Sequence, residues 1–262
     1  MQIQLIILTI FLFGINCVWG WVAYKLYRNC KMLRTRFSEL LGKLEFLEEK
    51  YNQTINYYNY NVNYSSSNYN YLAIGNSLTM IASWGRGICS TLPNNDYFGL
   101  LTNYLRDKYG ECVSYSYNFS PWERASNRST TLELLDVYLD ERLDLVTVQL
   151  GENVSNTTTF LSDLENLIDY IRDKAPKAKI IILGDWFNKG RNEIRREGAK
   201  NKNVLFADFS EIIGDEDYRS SVGQICYLED GNIIKVGKSA ATHPGDKGMK
   251  YIADKIINIL EK

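Results

Sequence analysis

Apolar residues run almost unbroken from position 3 to position 24, interrupted only by Gln4, Thr9, Asn16 and small residues. About twenty helical residues at ~1.5 Å rise cross a hydrocarbon layer ~30 Å thick. The stretch therefore predicts a retained single-pass membrane anchor over positions 1–27. A cleaved signal peptide would need a positive start, and neither Lys nor Arg precedes the run. Trp19, Trp21 and Tyr24 are placed like an interfacial aromatic belt. The period then changes. Leu33, Phe37, Leu40, Leu44, Leu47 and Tyr51 recur at alternating intervals of four and three, the spacing of a heptad seam on a helix. Over 28–51 this predicts an amphipathic helix, which could pair two chains as a dimeric stalk or lie on the membrane or on its own domain. From 52 to 69 the periodicity gives way to a Tyr/Asn/Ser tract, which reads as a linker.

From position 70 to 262 the pattern alternates between strand and helix. Short apolar runs predict strands at 71–74, 112–117, 143–150, 178–183 and 204–209. Helical periodicity predicts helices at 96–109, 130–142, 160–174, 191–200 and 247–260. In the third helix Leu161, Leu164, Leu167, Ile168 and Ile171 should face inward, and Asp246 should cap the last helix. Strands joined by helical crossovers imply an α/β domain whose parallel sheet is covered on both faces. Ligands bind such sheets beyond the carboxyl ends of the strands. Ser77, after the first strand, and Gly151 to Asn153, after the third, should share that rim.

A length of 262 residues leaves room for one sizeable α/β domain and an appendage. A net charge of −1 argues against a general nucleic-acid partner. Cys17, Cys30, Cys89, Cys112 and Cys226 form no CxxC pair, and their number is odd, so a disulfide framework is not expected. With a single histidine and no clustered ligands, a zinc site is not expected either. Lys25, Arg28, Lys31, Arg34 and Arg36 all follow the apolar run, and the positive-inside rule puts that side in the cytoplasm.

The candidate chemistry centres on the only histidine, His243, in Thr242-His243-Pro244. A serine hydroxyl is a poor nucleophile until a base within hydrogen-bond reach takes its proton. Ser77 lies in Gly75-Asn76-Ser77-Leu78 directly after a strand, where Gly75 permits an unusual backbone angle. Asn153, in Gly151-Glu152-Asn153, has an amide that could donate to a developing oxyanion. Asn118-Phe119-Ser120 follows the second strand in a comparable position. Trp84, Trp122 and Trp186 each come soon after a strand end, either as exposed platforms for sugar rings or as loop anchors.

Taken in order, these four blocks resemble those of the SGNH (GDSL-type) hydrolase and esterase superfamily over residues 70 to 262. Gly75-Asn76-Ser77-Leu78 is similar to the family's Gly-Asp-Ser-Leu, Asn118-Phe119-Ser120 to its Asn-x-Gly, Gly151-Glu152-Asn153 to its Gly-x-Asn, and Thr242-His243-Pro244 to its histidine block. The resemblance implies a flavodoxin-like three-layer α/β/α sandwich and an acyl-ester hydrolase needing no metal or cofactor. It implies Ser77 as nucleophile, His243 as base, and an oxyanion hole from Asn153 with backbone amides at Ser77 and Ser120. Three positions depart from the pattern: Asn76 stands where the family has Asp, Ser120 where it has Gly, and Ala240 where it has the Asp that orients the histidine. The orienting role then falls to a backbone carbonyl, giving a Ser-His dyad, or to Glu123, Asp185 or Asp230; Asn118 is a further rim residue. The expected function is a membrane-anchored serine esterase removing acyl groups, acetyl foremost, from a small molecule or glycan. Transfer of the acyl group to a glycan, or a decayed glycan-binding or scaffold protein, are the alternatives. An esterase acting on surface glycans would face outward, against the charge rule.

Overall fold

The computed structural model describes residues 2–56, 62–81 and 84–262, with side-chain environments from residue 19 to 47 and through the later segments. The N-terminal run and the heptad stretch form one continuous helix, α1 (Gln2–Asn56). The expected anchor falls largely on 2–18, where side chains lie outside the described residues. Among the described residues no helix is long and apolar enough to cross a membrane. Leu33, Phe37, Leu40, Leu44 and Leu47 are each at least 60% exposed. The opposite side of α1 docks on the rest of the chain. Buried Gly42 lies so close to Arg124 that a Cβ there would sit 2.9 Å from the arginine's own, Glu45 pairs with Arg124, and Phe46 packs against the core.

Among the described residues nine strands follow: β1 (Tyr69–Gly75), β2 (Met80–Ile81), β3 (Gly85–Arg86), β4 (Cys112–Asn118), β5 (Leu145–Gln149), β6 (Lys179–Leu183), β7 (Leu205–Ala207), β8 (Ile225–Tyr227) and β9 (Ile233–Lys235). Five make one parallel sheet in the order β4-β1-β5-β6-β7. Counted among themselves these strands run 2-1-3-4-5, the doubly wound order of flavodoxin-like folds. Side chains alternate across the sheet. Leu72, Ile74, Val146, Val148, Ile180 and Ile182 face one layer, with α4 (Phe160–Lys174), α5 (Lys189–Asn201) and the segment from Arg128 to Leu139. Tyr71, Ala73, Leu145, Ile181, Leu183 and Ala207 face the other, with α2 (Tyr97–Tyr109) and α6 (Asp246–Leu260). A five-residue helix, α3 (Ser120–Arg124), follows β4. The α/β/α sandwich expected from the alternation is present.

Several expectations need correcting. Residues expected to form a helix over 130–142 instead make a 3-10 segment, Arg128–Leu135, followed by turns. Its buried positions repeat at three (Arg128, Thr131, Leu134; Leu132, Leu135, Tyr138), which matches the 3-10 turn, where i and i+3 eclipse. The Thr131 hydroxyl also donates to the Arg128 carbonyl, at 2.8 Å, competing with helical pairing. In α4, Leu161 is only partly buried, and Phe160 takes its place facing the core. The Tyr/Asn/Ser tract is not wholly a spacer: Tyr64 is buried and its hydroxyl donates to the Tyr138 carbonyl at 2.9 Å. The two antiparallel hairpins, β2–β3 and β8–β9, carry no alternation long enough to read; around them Ile88, Cys89, Cys226 and Val236 form a small satellite core.

Asp246 does not cap α6. Gly245 occupies the cap position, without a side-chain bond. The Asp246 carboxylate reaches away, accepting from the Thr91 backbone at 2.8 Å, the Thr91 hydroxyl, and Asn95 Nδ2 at 2.9 Å. It ties the 89–95 loop to the segment carrying His243. Hydrogen bonds to a charged group contribute about 1.5–3 kcal/mol each when a partner is lost. Asp246→Ala should therefore lower the unfolding free energy by at least about 1.5 kcal/mol, read from the urea midpoint; an unmoved midpoint would deny the tie its structural weight.

Candidate active site

β1 is hydrogen-bonded on both sides, and its last residue, Gly75, pairs with Asn118 of β4 and with Gln149 of β5. Three carboxyl ends are therefore level, and their loops emerge at one rim. The chain turns at once after Gly75, with the Thr79 and Met80 amides both donating to the Asn76 carbonyl, at 2.9 and 2.8 Å. Gly75 is needed there because a Cβ would lie 1.9 Å from Thr79 Oγ1. The turn leaves Ser77 half-buried at its apex.

His243 arrives from the opposite end of the chain. It follows a 3-10 turn, Ala240–Thr242. Trp186 Nε1 holds that turn by donating to the Thr242 carbonyl at 3.1 Å. His243 Nε2 lies 3.2 Å from Ser77 Oγ, and Nδ1 lies 3.0 Å from the Ala240 carbonyl oxygen. A carbonyl can only accept, so Nδ1 carries the proton in the neutral ring and Nε2 presents its lone pair to the serine. The Cys89 thiol donates to the same Ala240 oxygen at 3.2 Å. Phe187, partly exposed, meets the imidazole edge-on with centroids 5.4 Å apart.

The position where a carboxylate would orient the histidine is thus served by the backbone of Ala240 itself. None of the three candidate carboxylates does it. Asp230 accepts within its own hairpin turn, from Asn232. Asp185 is fully buried and organises the loop after β6, accepting from the Phe187 and Asn188 amides at 2.7 Å and from Arg191 Nε at 2.7 Å. Glu123 is fully buried on α3 and turns to the loop after β5. It accepts from the Gly151 and Asn153 amides, from Asn153 Nδ2 at 2.7 Å, and from Asn76 Nδ2 at 3.1 Å. Burial first, and then the Glu152 carboxylate, push its carboxyl above the usual range, while those donors act in the opposite sense.

Asn153 is exposed at the rim. Its amide has two hydrogens, and one is directed at Glu123. Ser120 differs from expectation: its backbone N–H donates to Asn118 Oδ1 at 2.9 Å, because the Asn118 side chain folds over the start of α3. The tryptophans are not platforms. Trp122 and Trp186 are buried, and Trp84 packs on the satellite core. Phe187 is the exposed aromatic beside the histidine, and nothing distinguishes it in the sequence. Arg195 is a further site residue: fully buried on α5, it pairs with Glu152 at 2.8 Å and Asp185 at 3.4 Å. Its helix is strongly polar, so one more arginine carried no signal.

No family model matches the chain, and no curated protein matches its sequence. Solved structures do match in shape. Phospholipase A1 from Streptomyces albidoflavus NA297 superposes with a TM-score of 0.51 at 14% identity, over 73% of this chain and 99% of that one. A two-domain esterase active on acetylated mannans, co-crystallised with mannopentaose, gives 0.50 at 16%, over 75% of this chain and half of that one. The chain has the fold of the SGNH (GDSL-type) hydrolases. In that sandwich the Ser77–His243 pair and Asn153 lie at the carboxyl rim, where the fold binds ligands.

Burial of the imidazole disfavours its cation and lowers the His243 pKa, while the Ala240 carbonyl and the Glu152 charge act in the opposite sense. The neutral, proton-accepting form therefore persists below the usual range of ~6.5. As the only histidine in the chain, His243 gives a single ring-proton titration by NMR. Its midpoint should fall below that of a free histidine; a midpoint at or above it would overturn this account of the ring's surroundings.

Proposed function

We propose that this chain is a serine ester hydrolase in which Ser77 is the nucleophile, His243 the general base and Asn153 an oxyanion donor. The observation that carries the reading is the 3.2 Å approach of His243 Nε2 to Ser77 Oγ with Nδ1 tied to the Ala240 carbonyl. In the first half-reaction the Ser77 hydroxyl proton passes to Nε2 as Oγ bonds to the acyl carbon. The carbonyl π electrons move onto oxygen, where the Asn153 amide donates. The intermediate then collapses, the bond to the alkoxy oxygen breaks, and His243 returns its proton to the departing alcohol. In the second half-reaction water loses a proton to His243 as it attacks the acyl-enzyme, and Ser77 leaves with that proton. The transient imidazolium is stabilised by the Ala240 dipole, with Glu152 as the carboxylate that acts on it from farther off.

For the substrate we favour an O-acyl, foremost O-acetyl, carbohydrate. Support comes from the acetylated mannans of the similar two-domain esterase and from an open rim that presents Asn153 and Phe187. We also propose that the apolar N-terminal run holds the enzyme at a membrane, on the strength of its length and aromatic flank.

Ser77→Ala should abolish turnover of 4-nitrophenyl acetate and labelling by a fluorophosphonate probe while leaving the melting temperature unchanged. His243→Ala should slow turnover by about 10²–10⁴-fold, the range for loss of a general base. Undiminished turnover without the Ser77 hydroxyl would end the proposal.

A further inference from the structure

Asn76 is the residue that departs from the family motif beside the nucleophile, and the structure shows what it does. Its side chain is fully buried. Oδ1 accepts from the Leu78 amide at 3.3 Å. Nδ2 therefore points the other way and donates to two carboxylates, Glu123 Oε1 at 3.1 Å and Glu152 Oε2 at 2.8 Å. An aspartate at this position would have only acceptor oxygens. It would set a third carboxylate against the other two at hydrogen-bond distance, in a buried site where unpaired charge is most costly.

Glu123 passes the connection on. Its two oxygens accept from Asn76 Nδ2, the Gly151 amide, the Asn153 amide and Asn153 Nδ2. Oε1 takes the Asn76 side chain and the two backbone amides, and Oε2 takes the Asn153 side chain. One buried group thus touches both the turn that presents Ser77 and the amide at the rim. The loop it holds is closely packed: Gly151 has φ +123°, and a Cβ there would lie 2.6 Å from Phe160 and 2.8 Å from Arg195. Arg195, itself paired with Glu152 at 2.8 Å, is the cation that balances the cluster.

We propose that Glu123 is the positioning residue for the Asn153 amide, and that Asn76 is the neutral donor that allows the Glu123 and Glu152 carboxylates to stand beside the nucleophile turn. The inference rests on the ester-hydrolase reading. It makes Asn76 a matched partner of Glu123 and not a decayed aspartate. In Glu123→Gln the amide nitrogen must face either the backbone donors of the loop or the Asn153 amide, and in the second case it favours flipping Asn153 so that its oxygen, not its nitrogen, is held.

The test is a double-mutant cycle on 4-nitrophenyl acetate hydrolysis. Glu123→Gln and Asn153→Ala should each lower kcat by about 10²-fold, the order expected for one oxyanion donor, with KM changed less than threefold. The double variant should lie within threefold of Asn153→Ala, because Glu123 acts through that amide. Losses that multiply would mean Glu123 only supports the fold and would overturn the proposal. Asn76→Asp, which restores the family's Gly-Asp-Ser-Leu, should lower kcat by tenfold or more; a loss below threefold would overturn the proposal. If Glu123→Gln does not fold, Asn76→Asp decides alone, and failure to fold on that isosteric change is the same carboxylate clash read in the fold. A native chain that turns over no ester would remove the hydrolase reading and this inference together, whereas an active native chain with an uncoupled cycle would remove the inference only.

Discussion

The level pairing of Gly75 with both Asn118 and Gln149 is the constraint on which the site depends. A strand cannot slip by one residue without sending every side chain to the opposite face of the sheet. Both faces of β1 are buried, Leu72 and Ile74 on one side and Tyr71 and Ala73 on the other. Packing on two layers therefore locks the register, and the register sets three loops at equal height. Ser77, the start of α3 and the Gly151–Asn153 loop owe their proximity to the register that the buried strand β1 imposes.

On that rim a backbone oxygen takes a place where a carboxylate would be expected. The Ala240 carbonyl accepts from His243 Nδ1 and settles the tautomer as a carboxylate would. Its dipole carries less charge, so the ring stays closer to neutral, consistent with the downward shift that burial imposes. The 240–242 turn is also held by Cys89 and by Trp186, and Asp246 binds the same region to the 89–95 loop. The small hairpins and their satellite core thus brace the histidine from behind.

Charge at the site is buried under the rim instead of beside the imidazole. Glu123, Glu152 and Asp185 converge near Arg195, with Arg191 at the edge. Such clusters persist only when nearly every oxygen and proton has a partner. Here the amides of Gly151 and Asn153 and the side chain of Asn76 supply many of those partners. Stabilising the buried carboxylates and orienting the loop are the same set of hydrogen bonds.

Local pattern was enough to place most of this. The apolar runs marked the five sheet strands, the period of Leu164, Leu167, Ile168 and Ile171 marked α4, and Ser77, Asn153 and His243 stood out by residue type and order. These features are written in near neighbours along the chain, where spacing and side-chain chemistry decide the outcome. Partners distant in sequence were not legible. Where Glu123 turns, why Asn76 is an amide, and why Arg195 is buried each depend on atoms from three separate segments. The 3-10 segment at Arg128–Leu135 and the two-residue strands depend likewise on what packs over them. A chain specifies its elements through local periodicity, but the hydrogen-bond partner of a buried polar group is set by whichever segments the folded core brings within about 3 Å, and only the tertiary structure decides that.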